Sequence, residues 1–388
     1  MIRTFEAMTP DVPWLPAGNA LADEMFYDTS LLLPDERVVA YASRATEGSI
    51  MIVRPDGGGL EIFECADPRL TGTRRACNVV DQLDAWLAAH PAIAIDTVVI
   101  PGCGSSPVGA AALGKTVARI LTRPVLAIVS GQGRLDAMFE IWSGGMLMGP
   151  TARLFSSVHL MLHFLAGAQP FASWAAAEAA EFVEAIQESA TLKVLIDRRL
   201  LTTAPHGGRS VRAAGARGLN TIVSHSKANW AVLATLLDFE LETLPQLTLP
   251  ATPLGRSIDV VTFGCWVDLP DRFAEMGRLF HYHQLYGSAD ILALLNQAPQ
   301  ASMRLGVAGR IDLLQEVDPT RSPDEMIVAG RGHNLVQGNM IHIPIEDLLP
   351  AIVNSPQTGW PTPLSEQVIN PAEAMVAIPM RSTKPIKW

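Results

Sequence analysis

The stretch of residues 220–237 changes its hydrophobic period at a single serine, Ser226. Before it, Thr221, Ile222 and Val223 form a short apolar and partly β-branched run that is typical of a buried strand. After it, apolar side chains recur at helical spacing, at Trp230, Leu233, Leu236 and Leu237. The pattern predicts a strand that turns at once into a helix, with Ser226 at the corner.

A chain that turns this sharply needs small residues two positions before and two positions after the corner. Ser224 and Ala228 meet this need. The sequence Ser-His-Ser-Lys-Ala therefore keeps the small-x-Ser-x-small form of the G-x-S-x-G nucleophile elbow, although it lacks both glycines. The alternative is that Ser226 acts only as the N-cap of the following helix.

Short apolar runs and helical patterns alternate along most of the chain. Strands are predicted at residues 37–43, 49–53, 60–63, 97–100, 124–130, 192–196, 257–264, 280–286 and 326–328. Further helices are predicted at residues 77–90, 106–121, 173–189 and 345–352. Glycines within residues 56–59 mark a hairpin turn near the start. The alternation predicts an α/β fold with a mostly parallel central sheet, helices on both faces and an antiparallel N-terminal hairpin.

Composition divides the 388 residues into a central domain and two flanking segments. Residues 1–35 are predicted to form an N-terminal arm, residues 36–355 the domain, and residues 356–388 a proline-rich C-terminal tail. The methionine-rich stretch at about 134–190 is interpreted as a helical lid or insertion, because methionine repacks around varied ligands. Met146, Met148 and Trp266 are candidate substrate-binding residues. The alternative for the methionine-rich stretch is ordinary core or a face between two copies of the chain.

Charge and composition argue against several classes of partner. The formal net charge of −10 and the absence of a basic block argue against nucleic acid and against an anionic membrane surface. No apolar run has the eighteen or so residues of a membrane span, and the N-terminus lacks a basic region followed by an apolar core. We therefore expect a cytoplasmic protein without an integral membrane segment, and leave non-classical export and homo-oligomers open. The four cysteines form no C-x-x-C pair, so neither zinc nor a disulfide framework is indicated. We expect no metal and no cofactor.

One motif is misleading. Residues 109–116, Gly-Ala-Ala-Ala-Leu-Gly-Lys-Thr, match the phosphate-loop pattern G-x-x-x-x-G-K-[ST]. A phosphate loop leaves its strand directly and stays non-helical, whereas Ala-Ala-Ala-Leu forms helices readily and the strand at 97–100 ends nine residues earlier. We therefore expect these residues to lie inside a helix and to bind no nucleotide.

A serine nucleophile needs a base that takes its proton and an acid that orients the base. Asp290 follows the strand at 280–286, and His333 lies in a glycine-flanked loop after a later apolar strand. Both therefore follow Ser226, in the chain order nucleophile, acid, base. Asp268, after the strand at 257–264, is the alternative acid. Alternative bases, each inside or against a predicted helix or strand, are His225, His281, His283 and His342.

Two segments resemble a known family. Residues 224–229, Ser-His-Ser-Lys-Ala-Asn, and residues 260–268, Val-Val-Thr-Phe-Gly-Cys-Trp-Val-Asp, are similar to the α/β-hydrolase superfamily, and most closely to its class-three lipases. The resemblance covers about residues 95–350. It departs from the family where Ser224 and Ala228 replace the elbow glycines and where Cys265 and Trp266 replace a small residue and a proline.

The resemblance implies an α/β-hydrolase fold with Ser226 as nucleophile, Asp290 as acid and His333 as base. The expected oxyanion hole is the amide of Lys227 with an amide of the loop that contains Cys103 and Gly104. The expected activity is that of a serine hydrolase, lipase or esterase, on a small-molecule or lipid ester. The alternatives are an acyltransferase with the same triad and a non-catalytic binding protein of the same fold.

Overall fold

The computed structural model describes residues 23–43, 45–67, 69–102, 105–131, 187–203, 209–211, 218–226, 228–239, 243, 258–264, 280–287, 325–328, 335–336 and 342–353. Within these ranges the helices are α1 (Pro34–Ala42), α2 (Gly72–Ala89), α3 (Pro107–Leu121), α4 (Gln187–Leu200), α5 (Ala228–Asp238) and α6 (Ile345–Val353). A short helical turn at residues 23–26 and a 3-10 turn at Thr29–Leu31 precede α1.

The strands are β1 (Ile50–Val53), β2 (Glu61–Phe63), β3 (Thr97–Ile100), β4 (Val125–Ile128), β5 (Leu201–Thr203), β6 (Arg209–Val211), β7 (Thr221–His225), β8 (Ile258–Phe263), β9 (Phe280–Gly287) and β10 (Glu325–Val328). Strands β5 and β6 form a separate antiparallel pair.

Eight of these strands form one mixed sheet in the order β10-β9-β8-β7-β3-β4-β1-β2. Strands from β4 to β10 in this order run parallel, while β1 is antiparallel to both β4 and β2. The predicted α/β class, the mostly parallel sheet and the antiparallel N-terminal hairpin are therefore confirmed. From β3 the chain moves outward to β4 on one side, and from β7 outward to β10 on the other. The carboxyl ends of β3 and β7 thus flank a topological switch point, where open α/β sheets bind ligands.

Apolar side chains alternate between the two faces of the sheet and pack against helices on each. Ile222 and Val260 lie in the core under α2, α4 and α5. Their neighbours Val223 and Val261 lie in the core under α3, α6 and the N-terminal segment. The predicted helices on both faces are confirmed.

Two predicted strands are wrong. The pattern at residues 37–43 predicts a strand, yet these residues lie in α1 up to Ala42 because Pro34 starts the helix and the Glu36 side chain accepts the Leu33 N–H at 2.9 Å. Residues 192–196 lie in α4, where Leu192, Leu195 and other apolar residues are buried at helical spacing. An apolar run of five residues does not by itself distinguish a strand from a buried helix.

The predicted division into arm, domain and tail stays a prediction. The predicted lid at about 134–190 lies outside the described residues except for its last four, which begin α4. Within the described part of the chain, no helix is both long and apolar enough to span a bilayer.

The misleading phosphate-loop motif lies entirely within α3, as expected. Lys115, its lysine, is buried and places its Nζ 2.9 Å from Glu36 Oε1 and 2.9 Å from the carbonyl oxygen of Arg54. A lysine held in a buried ion pair is not available to a phosphate. The pair instead links α3 to α1.

We predict that Lys115→Met lowers the free energy of unfolding by about 3–5 kcal/mol, because it leaves the Glu36 carboxylate buried without its cation. Lys115→Met/Glu36→Gln should recover much of this loss, since no buried charge remains. Urea unfolding at neutral pH measures both. Arg198→Met, which removes a more exposed pair with Asp81, is the control and should change stability far less. An equally small effect of Lys115→Met would contradict the prediction.

Candidate functional site

The corner at Ser226 is present as the sequence predicts. Strand β7 ends at His225, α5 begins at Ala228, and Ser226 between them has a φ of 56°. Left-handed backbone costs a residue with a side chain roughly 1–2 kcal/mol relative to its ordinary conformations. Among the described residues, the other non-glycine with positive φ is Thr122, which caps the C-terminus of α3. Ser226 is therefore held in a strained conformation, as residues at functional sites often are.

Hydrogen bonds hold the corner without the two elbow glycines. The Ser226 N–H donates to the carbonyl oxygen of Phe263 at 2.9 Å. The Ser224 hydroxyl donates to Asn229 Oδ1 at 2.8 Å, and Asn229 Nδ2 donates to the same Phe263 oxygen at 3.1 Å. The side chain of Ser224 thus fills space that a glycine would leave empty. It ties the end of β7 to α5 and, through Asn229, to β8.

The sheet register brings the loop after β3 against this corner. Ile100 pairs with Ser224, so Gly102 and Ser226 both lie two residues beyond the paired ends of their strands. A Cβ added to Gly102 would be 2.8 Å from Ser226 Cβ, closer than real Cβ contacts. The position therefore requires glycine, and the backbone of Gly102 lies directly against Ser226.

Three hydrogen bonds fix the Gly102 residue in place. Its N–H donates to the Tyr27 hydroxyl at 2.6 Å. Its carbonyl oxygen accepts the Ser130 hydroxyl at 2.7 Å and the Ser105 N–H at 3.3 Å. The loop is thus held by the N-terminal segment on one side and by the end of β4 on the other.

Tyr27 joins this loop to β7. Its hydroxyl lies 2.9 Å from His225 Nδ1, and the two rings meet edge to face with centroids 5.4 Å apart. Tyr27 is only 3% exposed. A hydroxyl that accepts the Gly102 N–H still has its own proton to donate to Nδ1, and Nε2 then carries the ring proton.

Asp23, one helical turn before Tyr27 in the chain, contacts the same loop. Its carboxylate accepts hydrogen bonds from the Ser105 and Ser106 hydroxyls and from the Ser106 and Gly109 N–H groups, at 2.5–3.2 Å. It thus lies at the N-terminus of α3, where the helix dipole favours an anion. Burial nevertheless raises the pKa of Asp23 to about 7, against the lowering effect of these hydrogen bonds.

The other predicted site residues lie outside the described residues. These are the triad candidates Asp290 and His333, the alternative acid Asp268, the oxyanion candidates Lys227, Cys103 and Gly104, and the substrate candidates Met146, Met148 and Trp266. The structure therefore describes Ser226 and the Gly102 end of the oxyanion loop.

The alternative bases have neighbours of their own. His225 faces Tyr27. His283 lies inside the sheet with Nε2 3.6 Å from Asp259 Oδ1, and His342 Nε2 lies 3.0 Å from Glu346 Oε1. The backbone of His281 lies in β9, and its side chain is outside the described part.

Sequence reasoning missed the N-terminal contribution to this site. Tyr27 and Asp23 lie in a segment that composition marks only as an arm, and no local pattern signals their partners. Asn229, by contrast, belongs to the quoted Ser-His-Ser-Lys-Ala-Asn, and its place directly after the second expected Gly position, 228, could have suggested a replacement hydrogen bond. Among the residues the structure describes, no cluster of three or more His, Cys, Asp or Glu side chains could hold a metal ion.

Comparison with known proteins yields no relative for this chain. No protein-family model matches it, and neither do any of the curated proteins or solved structures compared with it.

The strain at Ser226 predicts an unusual order of stability among variants. Ser226→Gly should be more stable than Ser226→Ala by about 0.5–1 kcal/mol, because glycine adopts positive φ freely but loses more chain entropy on folding. At Ser224, in the extended backbone of β7, the order should reverse. Urea unfolding of the four variants tests this. A Ser226→Gly variant less stable than Ser226→Ala would contradict the left-handed backbone.

The buried carboxyl of Asp23 predicts a pH dependence of stability. Its pKa is higher in the folded chain, about 7, than the ordinary value of 3.8, so the folded state holds the proton more tightly. The stability from this group is complete below about pH 4 and is lost as pH rises towards 7. Between pH 5 and pH 7 we expect a loss of about 2–3 kcal/mol that is absent in Asp23→Asn. Urea unfolding of both proteins across this range measures it, and parallel curves would contradict it.

Proposed function

We propose that the protein is a serine hydrolase of the α/β-hydrolase type that cleaves a carboxylic ester, with Ser226 as its nucleophile. The observation that carries this proposal is the left-handed backbone of Ser226, φ 56°, between a parallel strand and a helix. A nucleophile elbow uses such a corner to expose a hydroxyl at the carboxyl edge of the sheet. A simple N-cap has extended backbone and does not need the strain.

The strand order supports an acid and a base that lie at the same edge of the sheet as Ser226. Strands β9 and β10 run parallel to β7, so the chain leaves all three at one edge. Asp290 follows the end of β9 by three residues, and His333 follows the end of β10 by five. Three strand spacings separate β10 from β7, roughly 14 Å. Five extended residues reach roughly 17 Å, enough to bring His333 to Ser226.

A hydrogen bond two residues beyond His333 also supports it as the base. The Leu335 N–H donates to the carbonyl oxygen of Phe26 at 2.9 Å, and Leu335 is buried. Phe26 precedes Tyr27, whose hydroxyl contacts Gly102 and His225 beside the corner. The chain after β10 thus returns to the segment that contacts Gly102 and His225 beside Ser226. His283, by contrast, is buried within β9, inside the sheet.

Asp290 is the better candidate for the acid. It follows β9, the strand that pairs with β10, and His333 follows β10. The acid and the histidine would therefore come from loops that follow two neighbouring strands. Asp268 follows β8 by five residues and remains the alternative that the experiment below separates.

The proposed reaction proceeds through an acyl-enzyme. His333 takes the proton of the Ser226 hydroxyl while its oxygen attacks the ester carbonyl carbon, and Asp290 stabilises the imidazolium. The tetrahedral intermediate collapses, the ester C–O bond breaks and the leaving alcohol takes the proton from His333. Water then attacks the acyl-enzyme with His333 again as base, which releases the acid and restores the serine.

Amide donors would stabilise the oxyanion, each worth on the order of 3 kcal/mol of barrier. The Gly102 N–H already donates to Tyr27, which leaves the amides of Cys103 and Gly104, with that of Lys227, as the proposed donors. The apolar residues Met146, Met148 and Trp266 are proposed to contact the acyl part of a small-molecule or lipid ester. No cofactor takes part in this scheme, and a cytoplasmic location is part of the proposal.

The experiment is covalent labelling with a fluorophosphonate beside turnover of p-nitrophenyl esters of increasing chain length. We expect the wild type to be labelled on Ser226, and Ser226→Ala to lose both labelling and turnover. His333→Ala and Asp290→Asn should lower kcat by about 10⁴-fold with intact folding, judged by thermal unfolding. His90→Ala, at the exposed C-terminus of α2, is the control for a histidine elsewhere and should keep full activity.

The remaining outcomes decide between alternatives. A large loss in Asp268→Asn with none in Asp290→Asn would move the acid to Asp268. Acyl transfer to an added alcohol that outcompetes water would identify an acyltransferase. Labelling that persists in Ser226→Ala, or an unlabelled wild type that turns over none of the esters, would refute the hydrolase.

A further inference from the structure

We infer that Tyr27 is a positioning residue for the site at Ser226: its hydroxyl holds the Gly102 backbone at the distance from Ser226 that the reaction requires. The inference rests on the proposed function, because it assigns Tyr27 a part in the same site. Residues 23–33, which precede α1, then form part of the site and do more than cover it.

The hydroxyl of Tyr27 bridges the two strands of the switch point. It accepts the N–H of Gly102, just after β3, at 2.6 Å, and lies 2.9 Å from Nδ1 of His225, the last residue of β7. These two chain segments meet where Gly102 approaches Ser226. Pairing of β3 with β7 sets the distance between the strands, and a group bonded to both segments restrains the residues just beyond the paired ends.

Gly102 and Ser226 lie so close together that no further atom fits between them. The position of a Cβ on Gly102 lies 2.8 Å from Ser226 Cβ and 3.1 Å from the Tyr27 hydroxyl oxygen. Displacement of a catalytic group by about 1 Å can lower a rate about 100-fold. Rotation of the Gly102 peptide would also redirect the chain that follows it, from which the proposed oxyanion donors come.

Tyr27 is itself anchored to the same loop. Its N–H donates to the carbonyl oxygen of Asp23 at 2.7 Å, within one helical turn. The Asp23 side chain accepts hydrogen bonds from Ser105, Ser106 and Gly109. The N-terminal segment therefore forms hydrogen bonds to the loop at two places, Gly102 and the start of α3. A shift of Tyr27 would disturb the hydrogen bonds at both places.

The test compares Tyr27→Phe, which removes only the hydroxyl oxygen, with Tyr41→Phe as the matched control. Tyr41 lies on α1 and is 51% exposed. In Tyr27→Phe we expect fluorophosphonate labelling of Ser226 and kcat for an ester to fall by about 10- to 100-fold, with KM nearly unchanged. Tyr41→Phe should match the wild type. Equal labelling rates in all three proteins would overturn the inference.

A second variant tests whether Tyr27 acts through Gly102. Gly102→Ala places a methyl group against Ser226 and should itself slow labelling. If both changes displace the same backbone, Tyr27→Phe should add little to Gly102→Ala in a double-mutant cycle. Fully multiplicative losses would place the effect of Tyr27 elsewhere and overturn the inference.

Hydrogen exchange of the Gly102 amide, in protein labelled with ¹⁵N-glycine, gives a readout that needs no catalysis. The loss of its acceptor in Tyr27→Phe should speed exchange of this amide by about five- to tenfold, while Gly114 inside α3 should be unchanged. Unchanged exchange at Gly102 would overturn the inference even if the enzyme is active. A wild type that is never labelled, with faster Gly102 exchange in Tyr27→Phe, would instead refute the nucleophile and support the positioning of the loop.

Discussion

The backbone conformation of Ser226 is the constraint on which the site depends. Strand β7 must become helix α5 within two residues, and left-handed backbone at Ser226 makes this turn possible. The strain is offset by bonds that converge on one atom, the carbonyl oxygen of Phe263, which accepts from Ser226 and Asn229. Parallel pairing of β7 with β8 places that oxygen, so the corner and the sheet stabilise each other.

The same edge of the sheet explains why an N-terminal segment belongs to the site. Two loops leave β3 and β7 side by side, and their polar backbone groups are buried, so each needs a partner. Tyr27 and Asp23 supply these partners from one short segment. The buried carboxyl of Asp23 makes this attachment sensitive to pH, because ionisation of the group is opposed by burial. Asp23 and Tyr27 thus connect the segment before α1 to the loop after β3 and to the end of β7.

Local patterns predicted the strands of the central sheet but not the β5–β6 pair, and the two wrongly predicted strands have physical causes. At residues 37–43 the apolar run suggested a strand, but Pro34 at the first position of the helix and the hydrogen bond that the Leu33 N–H donates to the Glu36 side chain favour α1. At residues 192–196 a short apolar run fits either structure, and packing of α4 against α2 and α5 decided for the helix. The helical placement of the phosphate-loop motif was predicted correctly, because helix propensity and distance from the strand are both local properties.

The sequence by itself determined the corner at Ser226, the small residues around it and the succession of strands and helices, since period and residue size act over a few neighbouring positions. Only the tertiary structure decided the strand order and the contact of Gly102 with Ser226. It alone also revealed Tyr27, whose hydroxyl meets partners 75 and 198 residues away. Hydrogen bonds over such separations leave no periodic trace in a single sequence, because they depend on which strands become neighbours.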